Sequence, residues 1–288
     1  MTSTTAPRSP SPLPPSDPVP AAPRWSWLVP GDALRRFLPL RLLERNVVAW
    51  RGMWLILLSV FVEPVLFLAS IGFGVGALVG DVEGPGGTMV SYRSFVAAGL
   101  LATSAMMGPV FDCTFNFFVK LKYFKIYDAV LATPMGPLDV ARGELLWSLV
   151  RAGLYATAFL GVMTVMGLVS SWWALLAVPA AVLIGFGFAG AALGATTFMR
   201  SFMDFDFINI AIIPMFLFSA TFFPLSRYPT ALQWVVQVTP LYQGVALERG
   251  LVFGELSWTM LLNAAYLVVL GLVGLKVAGR RLRVLLQP

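Results

Sequence analysis

Histidine is absent from the 288 residues. That removes imidazole metal ligands, a histidine general base and the hydrolytic triads that need one. Cysteine occurs once, as Cys113, which excludes a disulfide framework and a thiolate metal cluster. No GxxxxGK[ST] phosphate loop is present, so the sequence offers no ATP-hydrolysing site of its own. Charge is scarce as well. Asp, Glu, Lys and Arg make up 12% of the chain, against about 25% in a soluble domain. A chain this short of charge cannot cover a water-facing surface, and lipid must solvate much of it.

What is abundant is apolar: 58% of residues are hydrophobic, and the mean hydropathy is +0.81. Six apolar runs have the length of membrane helices, at about 53–79, 95–119, 144–169, 172–199, 207–224 and 257–278. Residues 1–31 are rich in Pro, Ser, Thr and Ala and read as a disordered cytoplasmic tail. They contain no apolar run after an early charge, so they do not read as a signal peptide. The remaining 32–288 form one transmembrane domain. Residues 39–51 are amphipathic, with Arg41, Glu44, Arg45 and Arg51 on one side and Leu42, Leu43, Val47 and Trp50 on the other. That pattern suits a helix lying in the membrane interface, or one packed on protein. The small-residue stretch Gly185–Gly194 suits close helix packing in lipid.

Orientation follows from the basic residues. Arg35, Arg36, Arg41, Arg45 and Arg51 precede the first span. Lys120, Lys122, Lys125 and Arg142 lie between the second and third, and Lys276, Arg280, Arg281 and Arg283 close the last. The 80–94 loop holds Asp81 and Glu83 against Arg93. The positive-inside rule then puts both termini in the cytoplasm, in agreement with an even number of spans. The net charge of +6 is thereby absorbed by membrane orientation and is not a nucleic-acid signal.

Two connections are too patterned for passive loops. In 120–143, Tyr123, Phe124, Ile126, Tyr127, Val130 and Leu131 make an apolar stripe beside Lys120, Lys122, Lys125 and Asp128. Thr133-Pro134-Met135-Gly136-Pro137 then breaks the helix, and Asp139 is placed to cap the next one. This segment reads either as a cytoplasmic helix that docks into a partner or as a plain surface helix on phosphates. The outer segment 225–250 carries Pro229 and Pro240 together with Leu232, Trp234, Val235, Val236 and Val238. Two short helices dipping back into the outer leaflet explain it, as does an interfacial helix with a tryptophan anchor.

The run from Leu217 to Leu251 resembles the signature of ABC-2 type transport permeases, through Phe222, Phe223, Pro224, Pro229, Trp234, Pro240, Leu241, Tyr242 and Arg249. The segment from Tyr127 to Trp147 is similar to the same family's loop between spans two and three. The stretch around Glu63-Pro64 looks like the first span of its nodulation-factor export branch, which neighbours the daunorubicin-resistance type. The resemblance implies an all-α membrane protein of six helices with an N-terminal interfacial helix, a cytoplasmic coupling helix and an outer re-entrant pair between spans five and six. It implies a dimer of permeases, homomeric or with a paralogue, in a bacterial cell membrane. It further implies two separate ATPase subunits that carry ATP and Mg, while this chain binds no cofactor. Under it, Tyr123, Phe124, Lys125, Tyr127, Asp128, Leu131, Thr133 and Pro134 receive the ATPase motion. The activity implied is export of a drug, lipid or glycan.

Of the charges inside the predicted spans, Glu63, Asp112 and Arg151 are the ones set in from the span ends. A mid-bilayer charge costs about 2.5–3.5 kcal/mol on insertion scales, so each needs a purpose. One or both acids pair with Arg151 to hold the bundle, or they line a polar path, or they bind protons or sodium in an ion-coupled secondary transporter, the alternative to an ATP-driven exporter. Met106, Met107, Phe115, Phe118 and Phe222 are the candidate lining of a substrate path, with plain packing as the competing explanation. The shortage of clustered polar chemistry argues against a membrane-embedded enzyme.

Overall fold

The computed structural model describes residues 40, 42–48, 62, 65–71, 74–131 and 135–286. The tail 1–31, Glu63, Thr133 and Pro134 lie outside them, as does most of the predicted first span and much of 39–51. From those regions remain helix α1 (42–48), α2 (65–71) and α3 (Gly76–Val79).

Among the described residues, four helices are long and apolar enough to cross a bilayer: α4 (Tyr92–Lys122), α6 (Pro137–Val165), α7 (Trp172–Thr196) and α11 (Thr259–Leu286). Helix is the only open-chain solution for such runs, because lipid cannot satisfy a bare backbone. Their starts are written in the sequence. Ser91 Oγ accepts from the Ser94 amide at 3.2 Å to open α4. The Asp139 carboxylate accepts from the Gly136 amide at 3.0 Å to open α6, which bears Pro137 at its first position. Asp139 thus caps as the spacing predicts.

Between the long helices lie α5 (Ile126–Leu131), α8 (Phe205–Leu217), α9 (Thr230–Val238) and α10 (Pro240–Phe253). The outer segment therefore forms two short helices, with Pro229 preceding one and Pro240 opening the other. The run predicted as span 207–224 is helical only to Leu217. Thirteen residues at 1.5 Å each rise about 20 Å, short of the roughly 30 Å hydrocarbon core. The stripe predicted across 123–131 is also broken, because the helix stops at Lys122 and Lys125 takes a positive φ of 47° before α5 begins.

The helices are joined by one short strand pair among the described residues. The loop after α3 is an antiparallel hairpin, β1 (Asp81–Glu83) with β2 (Met89–Ser91), registered on Val82 opposite Val90. The turn Gly84-Pro85-Gly86-Gly87 permits it, with Gly86 and Gly87 in the left-handed region.

α4 is the most enclosed of the four long helices and α11 the least. Ala97, Ala98, Ala102 and Ala105 let neighbours approach α4 closely. α7 and α11 pack along a glycine seam: a methyl on Gly190 would collide with the Gly271 carbonyl oxygen.

Candidate functional site

Three polar clusters punctuate this apolar body, one at each end and one between them. At the end carrying Lys120, Lys122 and the basic tail, Glu144 of α6 is the node. It accepts from Lys120 Nζ of α4 at 2.7 Å and pairs with Arg45 of α1 at 3.6 Å. Tyr127 of α5 is fully buried against Phe117, and its hydroxyl lies beside the Glu144 carboxylate without reaching hydrogen-bond geometry. Burial, with that carboxylate nearby, pushes the phenol well above its usual range, so it stays neutral. Four helices thus meet on one buried acid. Just outside, Tyr123 and Phe124 are 59% and 68% exposed. The predicted coupling residues therefore divide: Tyr127 is inward, while Tyr123, Phe124 and Lys125 face out. Asp128 and Leu131 belong to α5, and nothing is described of their side chains.

Within the membrane body, Arg151 Nη1 of α6 donates to Asp112 Oδ1 of α4, and Asn116 Nδ2 donates to the same oxygen at 2.8 Å. Asp112 and Arg151 thus form an ion pair in this conformation, one of the arrangements the sequence left open. Asp112 opens a π-helical stretch, Asp112–Asn116, that follows Pro109. Proline removes an amide from the helical ladder and loosens the turns around it. Within that stretch the Cys113 carbonyl accepts a hydrogen bond from the adjacent helix, from Thr196 Oγ1 of α7 at 3.0 Å. Beside the pair is a cavity of about 240 Å³ lined by Met107, Phe111, Arg151 and Tyr155 among others.

The candidate path residues do not act as a set. Met106 and Phe118 are buried within this one chain and so cannot line a path in this conformation. Phe118 packs edge-on against Phe205 at 5.3 Å. Phe222 packs edge-on against Phe216. Met107 and Phe115 reach the surface.

At the opposite end, where Trp172, Trp173, Trp234 and Trp258 are exposed, Arg249 of α10 is the organising residue. Its Nη2 donates to the carbonyls of Ala220 at 2.7 Å and Thr221 at 2.9 Å, and its Nε to that of Phe95 at 3.3 Å. The guanidinium also stacks over the Phe95 ring at 3.6 Å. Arg249 therefore ties α4 to the turn after α8. Pro224 lies within that turn region, Tyr242 is in the first turn of α10, and Trp234 stands on the outward face of α9. The residue before Arg249 went unnoticed in sequence: Glu248 is fully buried with neither carboxylate oxygen bonded. No periodic or motif signal marks it, because it sits in an otherwise ordinary helical run.

Comparison with known proteins agrees with this anatomy. The sequence profile described as ABC-2 type transporter matches residues 40–253. The chain is 32% identical over 246 residues to nodulation protein J of Rhizobium leguminosarum bv. viciae, covering 83% of this chain and 93% of that protein. It is 32% identical over 215 residues to nodulation protein J of Rhizobium meliloti (strain 1021), covering 74% and 80%. To the protein of the same name from Sinorhizobium fredii it is 32% identical over 233 residues, covering 80% and 82%. With about three-quarters of its length under the family profile and relatives 32% identical over 80–93% of their own length, this chain belongs to the ABC-2 type transporter family, as a multi-pass membrane subunit.

Proposed function

We propose that this chain is the permease of an ATP-driven exporter, moving an amphiphilic drug, lipid or (lipo)glycan outward on ATP that separate subunits hydrolyse with Mg. Two permeases, identical or paralogous, form the pathway, and two ATPases dock on the cytoplasmic side. In this reading residues about 53–79, together with the short helix α8 and the turn that follows it to about residue 224, complete six spans, and both termini are cytoplasmic in a bacterial inner membrane. The basic end and the tryptophan-bearing opposite end support that orientation. α8 has no buried residue in the single chain, which supports its contact with a second permease. The pairing of Asp112 with Arg151 favours a structural acid over an ion-coupling one.

One observation carries the reading: the exposed Tyr123-Phe124-Lys125 knuckle backed by the Glu144 cluster. A displacement of the knuckle is transmitted to α1, α4 and α6 through one buried carboxylate. The test is a Phe124→Cys variant, with little background because Cys113 is buried. It is expected to cross-link to the cognate ATPase in a nucleotide-dependent way and to lose transport when cross-linked. Absence of any cross-link, with export persisting when ATP is removed, overturns the proposal.

A further inference from the structure

The tryptophan-bearing end encloses a cavity of about 400 Å³ that the transport reading leaves unused. On its buried side are Arg249 and Phe95, on its exposed side Glu83 and Glu255, with Tyr242 and Asn263 also lining it. Arg249 is only 6% exposed. Its Nε and Nη2 are used on backbone carbonyls, Nη1 has no hydrogen bond among the described residues, and the side chain lines the cavity. Neither carboxylate is paired with it. A guanidinium keeps its proton at neutral pH, so a poorly hydrated positive charge offers an open donor to the cavity. An oxyanion is the group that such a donor recognises most strongly.

The exposed side selects against a simple anion. Glu83 accepts from Ser226 Oγ at 3.0 Å, which fixes its carboxylate at the cavity. Glu255 packs on the hairpin turn: a methyl on Gly86 would lie 3.0 Å from its Oε2, and Gly86 has φ +69°. An entering anion therefore passes two acids, whereas a ligand with a cation a few atoms from its oxyanion gains at both ends. Leu256, next to Glu255, and Trp258 are exposed and apolar, giving the ligand a bilayer contact at the same level. From this arrangement we propose that the outer cavity binds the headgroup of a zwitterionic phospholipid, its phosphate on Arg249 and its primary ammonium between Glu83 and Glu255. The proposal rests on the outward orientation given above, and on neither ATPase docking nor cargo.

The test uses the full-length protein purified in detergent and native mass spectrometry with equal amounts of phosphatidylethanolamine and phosphatidylglycerol. Phosphatidylethanolamine is expected to be retained about tenfold over phosphatidylglycerol, the ratio that about 1.4 kcal/mol gives. Arg249 also holds the fold together, so the deciding variant is Glu83→Gln/Glu255→Gln, which should bring the ratio close to one at an unchanged melting temperature. Equal retention by the parent protein, or a ratio unaltered in the variant, overturns the site. Displacement by soluble glycerophosphoethanolamine at concentrations matching the lipid overturns the lipid as its source. The measurement involves no ATPase, so its failure leaves the exporter reading intact, and loss of the exporter reading leaves it interpretable.

Discussion

Arg249 takes the carbonyl of Ala220 at 2.7 Å, and Ala220 is one of two described non-glycine residues with positive φ, at 57°. The left-handed conformation costs an alanine about 1–2 kcal/mol. Here it turns consecutive carbonyls toward one guanidinium. Ala220→Gly removes that strain and is expected to hold or raise the melting temperature of the purified protein in detergent. Ala220→Val adds a β-branch at a site 1% exposed and should lower it. A loss in the glycine variant as large as in the valine variant would mean that methyl packing outweighs the backbone.

The Asp112–Arg151 pair makes a different forecast. Removing one partner strands a buried charge, at a cost of about 3–5 kcal/mol, whereas replacing both by apolar groups is often near neutral. Arg151→Met alone should therefore assemble poorly, and Asp112→Leu/Arg151→Met should recover much of the yield and melting temperature. Export by the double variant should show the parent's dependence on ATP and on pH. Recovered assembly together with a lost proton or sodium dependence would instead assign the acid to ion coupling.

The glycine seam offers a test with an internal control. A methyl on Gly190 would meet the Gly271 backbone, and one on Gly274 would meet the Gly190 backbone, both far inside contact distance. Gly190→Ala and Gly274→Ala are expected to separate α7 from α11 and lower the melting temperature. Gly161→Ala in α6, where nothing lies within 4 Å, should leave it unchanged or higher.

Much of this was legible beforehand for a physical reason. Membrane spans are announced by long apolar composition, helix starts by Ser, Asp and Pro at fixed offsets, and the basic end by Lys and Arg counts. Clusters between distant segments are not announced that way. Lys120 and Glu144 are 24 positions apart, and Ala220 and Arg249 are 29. No periodicity links such pairs, so each residue was visible while its partner was not. Asp112 and Arg151 were matched only because charges are rare inside spans. The early end of α8 was hidden for the opposite reason, since Phe218–Phe223 remains as apolar as a helix although its backbone turns.

Glu248 gives the pH forecast. Burial raises its carboxyl well above the usual 4.5, so folding favours the protonated form. The stability this contributes is fully present below the unfolded value of about 4.5 and declines as pH rises toward the folded one. Glu248→Gln keeps the shape and removes the titration. Its melting temperature should depend less on pH than the parent's between about pH 5 and 8, a window above that unfolded value. Parallel profiles would show that another group governs the dependence.

Glu144 is where the mechanical claim is most exposed. If it joins α1, α4 and α6 as a unit, Glu144→Gln should weaken the link to Lys120 and Arg45 without unfolding the spans. The expected phenotype is a complex that still binds its ATPase but hydrolyses ATP with reduced transport per turnover. Lys120→Glu/Glu144→Lys preserves one of the two pairs and should restore part of the coupling, since a salt-bridged geometry tolerates exchange better than removal of one charge. The discriminating measurement is the ratio of transport to ATP hydrolysis in proteoliposomes. A fall in ATPase binding that accounts for all lost transport would place Glu144 in docking. A fall in the ratio with binding intact places it in transmission, and only that outcome fits a carboxylate buried behind the Tyr123-Phe124 knuckle.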